Sequence, residues 1–227
     1  MNLGKMVILA IILVIGFIVG SIILAAWHAK ERRKALAKLA NSLGFTFSPG
    51  KDFTIDDQYG FLKKLAQGSN RYAFNLMSGA YGGHDVLVFD YHFETRSSGS
   101  KGRRQTHHHY FSFFILHLAR EFPELTISHE GLFSKVAQFF GYDDIDFESA
   151  EFSRRFCVRC SDKKFAYDIC NPRVIEYLLV NPALNIEIDR HCLSLFFSFR
   201  LSAESIQANL NRLVSLRVMF PDYLWQK

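Results

Sequence analysis

The 227-residue chain is 49% hydrophobic and carries 27 Lys and Arg against 22 Asp and Glu, a formal net charge of +5. Its first 43 residues hold six of the basic residues and a single acid, Glu31, so the other 184 residues carry 21 charges of each sign. The excess positive charge therefore belongs to the N-terminal region, which argues against nucleic-acid binding by a basic domain face.

Residues 6–27, MVILAIILVIGFIVGSIILAAW, contain no charge, and Ser21 is their one clearly polar side chain. As a helix they extend about 33 Å at 1.5 Å per residue, enough for a hydrocarbon core of about 30 Å. Only Lys5 precedes the apolar run, and Leu24-Ala25-Ala26 puts a bulky residue where a cleavage site prefers a small one; both argue against a cleaved signal peptide. The stretch reads as a single transmembrane anchor. Past it come Lys30, Arg32, Arg33, Lys34 and Lys38. This cluster marks the cytoplasmic side and suits contact with anionic headgroups. The expected organisation is an outer tail over 1–5, the span over 6–27, a basic juxtamembrane helix over 28–43 and a cytoplasmic domain over 44–227. The address is the inner (plasma) membrane. Gly16 and Gly20, with Ser21, form a small-residue face suited to helix association and hence to a homo-oligomer.

No Pro or Gly interrupts residues 21–43, and Leu36, Leu39, Ala40 and Leu43 form a stripe at helical spacing. The anchor is expected to run on to a stop at Gly44 and to set the domain off the bilayer, its stripe docking on the domain or on a second copy. A short helix is expected over 59–66. Strands over 72–79 and 84–93 flank Gly82-Gly83, a hairpin signal. The polar segment 95–105, TRSSGSKGRRQ, reads as an exposed basic loop before a strand over 106–118. A helix capped by Ser128 is expected over 128–140. Then come a strand over 154–160, a helix over 162–170 and a helix opened by Asn171-Pro172. Leu184, Ile186 and Ile188 alternate with polar residues, as do Leu193, Leu195, Phe197 and Phe199. With Asp189-Arg190-His191 between them, they read as a terminal hairpin. Ser202 caps a last amphipathic helix. Hairpin strands with interspersed helices predict an α+β domain, an antiparallel sheet packed by helices.

The segment DIDFESAEFSRRFCVRCSDKKFAYDICNPRVIEYLL resembles the signature of a widespread uncharacterised bacterial family, a domain of unknown function. The order of features over residues 70–200 is similar too: a strand pair with a basic Gly/Ser loop, a Phe-x-Val strand at Phe156-Cys157-Val158, an Asp-led helix at Asp162, a Pro-started helix at Pro172 and a terminal hairpin. What the resemblance implies is architecture and membrane association, with no activity or site to carry over.

Chemistry must be sought locally. His107-His108-His109 lies across the hairpin from Asp90, His92 and Glu94. On a strand His107 and His109 share one face. If Asp90 and His92 face the same way, His92, His107, His109 and Asp90 would hold a zinc-like ion, and the chain would be a metal-dependent enzyme. Otherwise the sequence requires no cofactor. Cys157 and Cys160, three apart on a strand, point to opposite faces, so they do not pair as a metal knuckle. His191 and Cys192 would join them only if the last hairpin lay beside that strand. The four cysteines, Cys170 included, read as free thiols in a reducing compartment. The acidic run Asp143, Asp144, Asp146, Glu148 fails the EF-hand pattern, with Ser149 at the Gly position and Arg155 at the bidentate Glu position. No G-x-S-x-G, Walker loop or H-E-x-x-H occurs. The expected function is a non-catalytic binding or scaffold module at the cytoplasmic membrane face, with the bilayer and an unidentified protein as partners. An anionic-lipid surface sensor using Arg32, Arg33 and the 96–104 loop is the other alternative.

Overall fold

The computed structural model describes residues 3–98, 104–129 and 144–226. Helix α1 (Leu3–Leu43) runs 41 residues without a break, because nothing between Gly20 and Gly44 interrupts it. It ends where Gly44 turns to φ +70. The Phe45 N–H donates to the Ala40 carbonyl at 2.8 Å and the Gly44 N–H to the Asn41 carbonyl at 3.2 Å, the paired bonds of a Schellman cap. The two halves of α1 differ in surroundings. From Ala10 it is long and apolar enough to cross a membrane, with Phe17, Ile22 and Ile23 exposed. Farther on, Leu36, Leu39 and Ala40 are buried in the domain. Each of these leucines contributes about 1.5–3 kcal/mol to that docking.

The domain is a six-stranded antiparallel sheet: β1 (Thr46–Ser48), β2 (Ser69–Tyr81), β3 (His84–Ser98), β4 (Arg104–His129), β5 (Phe156–Cys160) and β6 (Asn185–Phe196). Strand β4 is the spine. Along one edge it pairs first with β3 and later with β5; along the other it pairs with β6. Gly82 and Gly83 turn β2 into β3 with φ of +57 and +81, the conformation of a type I′ hairpin. On one face Val86, Val88, Phe114, Leu116, Ile186 and Leu193 meet α1 and the helices α3 (Ala150–Arg155), α4 (Lys163–Ile169), α5 (Pro172–Val180) and α6 (Ala203–Met219). On the other face Leu87, Phe89, Tyr91, Phe93, Phe111 and Phe113 are covered by Ile55 of α2 (Thr54–Tyr59) with Leu62 and Leu65 beyond it. The α+β architecture is thus as expected.

Several elements differ from the sequence reading. The terminal hairpin is one strand, β6, paired with β4 throughout. Arg190, at φ +50, inserts a bulge that shifts the alternation by one residue, so Ile186, Ile188, Leu193 and Leu195 all enter the same core. A phase change that looks like a turn is a bulge. Opposite it, β4 shifts register between His117 and Leu125 and continues to His129. Ser128 therefore pairs with Cys157 in the sheet and caps no helix; the rest of the expected helix, over 130–140, lies outside the described residues. The strands of the β3–β4 hairpin run through most of the expected 95–105 loop, with Ser98 opposite Arg104, and residues 99–103 lie outside the described residues. The short helix comes earlier than expected, at Thr54–Tyr59, and the strand over 154–160 starts only at Phe156, after the turn of helix capped by Ser149. Asp162, Asn171 and Ser202 cap their helices as expected.

Candidate functional site

The hairpin β3–β4 carries the polar groups that stand out from the core. Its register pairs Asp90 with Ser112, His92 with Tyr110, Phe93 with His109, Glu94 with His108 and Thr95 with His107. Paired residues share a face, so Asp90, His92, Glu94 and His108 lie on the α1 side while His107 and His109 lie on the other. The four residues expected to hold a metal are split by the sheet. His107 bonds Ser97 at 3.0 Å, and His109 bonds Thr95 at 2.9 Å and stacks on Phe93. Burial, and after it the Lys64 charge, holds the His109 imidazole below its ordinary pKa.

Asp90 is only 2% exposed and belongs to a different site. Arg32 of α1 grips its carboxylate with both Nη atoms, Nη2 reaching Oδ1 at 2.9 Å. Asn75 Nδ2 and the Ser112 hydroxyl each donate to the same carboxylate at 2.9 Å. Arg32 also donates to the Leu201 carbonyl, and the Leu201 N–H donates to Ser112 Oγ. A buried charge is tolerable only when paired and fully hydrogen-bonded, and this network provides both. It fastens α1 to β2, β3, β4 and the segment leading into α6. Arg32 thus departs from its expected contact with headgroups: its guanidinium faces the domain. Lys30, Arg33, Lys34 and Lys38 remain exposed, with Lys34 bridging Glu31 at 2.7 Å. Only about four residues separate Trp27 from Arg32, so the domain packs alongside α1 close to the end of the apolar span.

Beyond Asp90 the same face gathers a second group. His92, 1% exposed, gives its Nδ1 proton to the Asn70 carbonyl at 3.0 Å, because a carbonyl can only accept. Its Nε2 therefore offers a lone pair, 3.1 Å from His108 Nδ1. Glu94 Oε1 lies 3.5 Å from His108 Nδ1 and accepts from Asn70 Nδ2 at 2.6 Å. The His92, Glu94 and His108 ligand atoms all lie within 4.8 Å of one another. Tyr72 stacks on His92 with centroids 4.5 Å apart. Burial lowers the His92 pKa, which keeps the ring neutral. Sequence reasoning missed Asn70 and Asn75. Both have φ of +51 and sit at register shifts of β2, where a bulge turns a polar side chain toward the neighbouring strand. An Asn inside a strand pattern was the available signal.

A cleft of about 460 Å³ opens where β4 runs past the end of β6, lined by Lys64, Phe93, His108, His109, Tyr110, Phe111 and Ser198. Lys64 Nζ lies 4.8 Å from the Phe111 ring centroid and 5.5 Å from that of Phe196. Burial brings its pKa down to about 8. The other expected groups do not converge. Cys157 Sγ lies 2.7 Å from Asp144, while Cys160 is buried on the opposite face with its thiol pushed up to about 11 by desolvation. Strand β4 stands between β5 and β6, which keeps His191 and Cys192 from these cysteines. Gly16 and Gly20 are open to the surroundings, and Ser21 bonds back to the Phe17 carbonyl at 2.8 Å.

Phe45, just past the end of α1, packs on Gly79, which pairs with Val86. Arg32, nearer the apolar half, meets Asp90. Toward its apolar half α1 therefore runs in the direction of rising β3 numbers. The Arg96 and Arg104 end of the hairpin points the way the apolar half of α1 does.

No protein-family model matches this chain, and neither does any curated protein. A solved structure with a similar fold is the mycobacterial trehalose monomycolate transport factor A, TtfA, at 11% identity and a TM-score of 0.57, covering 84% of this chain and 96% of that one. At such identity the likeness speaks for the α+β fold alone.

Proposed function

We propose that this chain is a single-pass inner-membrane protein, of the bacterial family it resembles, whose C-terminal domain is a non-catalytic binding or scaffold module on the cytoplasmic face. The observation that carries the reading is the Arg32–Asp90 network. A domain bolted to its own anchor through a buried ion pair presents a fixed surface at a fixed height above the bilayer. The cleft at Lys64, an ammonium among aromatic rings, suits an apolar ligand or peptide with an anionic end. The similar fold of a transport factor agrees with a binding role. Lys30, Arg33, Lys34 and Lys38 fit the cytoplasmic orientation, and Gly16 and Gly20 offer a face for a second copy. Affinity capture from detergent-solubilised membranes tests the module: a protein recovered with the wild-type chain and lost with Lys64→Glu supports it, and a specific catalytic turnover by the purified chain would overturn it.

One observation favours a second reading, contact with anionic lipid by the hairpin. Its end at Arg96 and Arg104 belongs to a hairpin directed toward the apolar half of α1. Reconstituted chain whose Arg96→Ser/Arg104→Ser variant shows unchanged protease protection on anionic and neutral vesicles would remove it.

A further inference from the structure

We propose that His92, Glu94 and His108 form a binding site for a divalent transition-metal ion of the zinc class. Four features of the geometry support it, and one of its ligands, His108, also lines the cleft at Lys64.

First, spacing. Ligands 2.0–2.1 Å from a tetrahedral ion stand about 3.3–3.4 Å apart. His92 Nε2 to His108 Nδ1 is 3.1 Å and His108 Nδ1 to Glu94 Oε1 is 3.5 Å, so two edges of such a tetrahedron already exist. Second, tautomer. The bond from His92 Nδ1 to the Asn70 carbonyl leaves Nε2 as the ligand atom, the arrangement by which metal-binding imidazoles are oriented. Third, support. The same Asn70 holds Glu94 through its amide, so one bulge residue with φ +51 aims two ligands. Tyr72 and Tyr110 flank the His92 ring, with centroids 4.5 and 4.7 Å away, and limit its rotation. Fourth, access. His92 is buried, Glu94 partly exposed, and the His108 side chain 53% exposed, so ions reach the group from the His108 side.

Binding needs one rearrangement. His108 Nδ1 now faces the His92 lone pair and must carry the proton between them. On metal binding that proton moves to Nε2 on the solvent side, and the neutral imidazole ligates through Nδ1. Two neutral imidazoles and a carboxylate leave the ion one net positive charge. The fourth position, open on the exposed side, suits an anionic oxygen ligand or water. Bound there, the ion would clip the β2 bulge to the β3–β4 hairpin.

The test uses the untagged full chain in detergent micelles, stripped with chelator and dialysed against Zn²⁺. Metal analysis is expected to find one ion per chain, held against a competing micromolar chelator. The Co²⁺ form is expected to show the visible absorption of a four-coordinate ion. His108→Ala changes a half-exposed residue and should fold normally; it is expected to weaken binding at least ~10-fold, as is Glu94→Gln. Asn70→Gly keeps the positive φ while removing the orienting amide, and is expected to weaken binding by roughly 10-fold. His107→Ala/His109→Ala, on the opposite face, is expected to bind as the parent does. Substoichiometric zinc in the parent chain overturns the proposal. So does retention in His108→Ala, or a loss in the His107/His109 variant equal to that in His108→Ala, which would mark the triplet as an unspecific surface chelator.

Discussion

Arg32 shows how a single side chain changes its meaning once neighbours are known. In the sequence it is one of five cations beside a membrane span, and nothing separates it from Arg33. In the fold Arg33 is exposed while Arg32 neutralises a carboxylate buried to 2%. Arg32→Ala leaves that carboxylate without its charge partner, so unfolding free energy in micelles should fall by about 3–5 kcal/mol, while Arg33→Ala should change it by under about 0.5 kcal/mol. Equal effects would contradict the assignment. Glu187 gives a second prediction at this scale. It is buried, accepts from the Lys63 and Lys64 backbone N–H groups, and has its carboxyl pushed up to about 7 by desolvation. An acid whose folded pKa lies above its unfolded value binds more protons when folded. Its effect is to lower stability as pH rises from about 4.5 to about 7, by on the order of 3 kcal/mol over the window. Glu187→Gln should flatten that part of the thermal-stability profile between pH 5 and 8; a variant with the parent's slope would refute the cause.

At the scale of elements, what was legible followed from local rules. Gly82-Gly83 fixed a hairpin, Asn171-Pro172 and Ser202 fixed helix starts, and an uninterrupted stretch after Gly20 made one long helix. What was not legible depended on partners distant in sequence. Whether Asp189-Arg190-His191 is a turn or a bulge is decided by the matching irregularity in β4 between His117 and Leu125. Whether His92 shares a face with His107 or His108 is decided by the register, and a shift of one residue exchanges the faces. The expected set of His92, His107 and His109 is divided by that register, His92 facing the α1 side with His108 and the other two facing away. Gly79 tests the junction between helix and sheet. A Cβ there would come 2.4 Å from Phe45 Cδ1, so Gly79→Ala should cost about 1–3 kcal/mol by denaturant titration and raise cleavage near residue 45. An unaffected variant would mean that Phe45 is not seated on β2.

For the whole molecule, the second half of α1 and the domain form one body. The expectation of a helical spacer between bilayer and domain gives way to a helix that is itself part of the domain from Arg32 onward, with Leu36, Leu39 and Ala40 in the core. Of the two expected partners of that stripe, the domain is the one that covers it. The Gly16–Gly20 face remains open. The proposed topology predicts that a reporter fused after residue 227 is active only inside the cell, and one active only outside would reverse the compartment and the thiol argument together. The fastening of domain to anchor is tested most directly by hydrogen exchange of the full chain in nanodiscs. The predicted result is that amides of residues 32–43 exchange as slowly as those of 86–91 in β3, and that Arg32→Ala speeds both segments together. Rapid exchange of 32–43 in the parent chain, or indifference of that segment to Arg32→Ala, would contradict it.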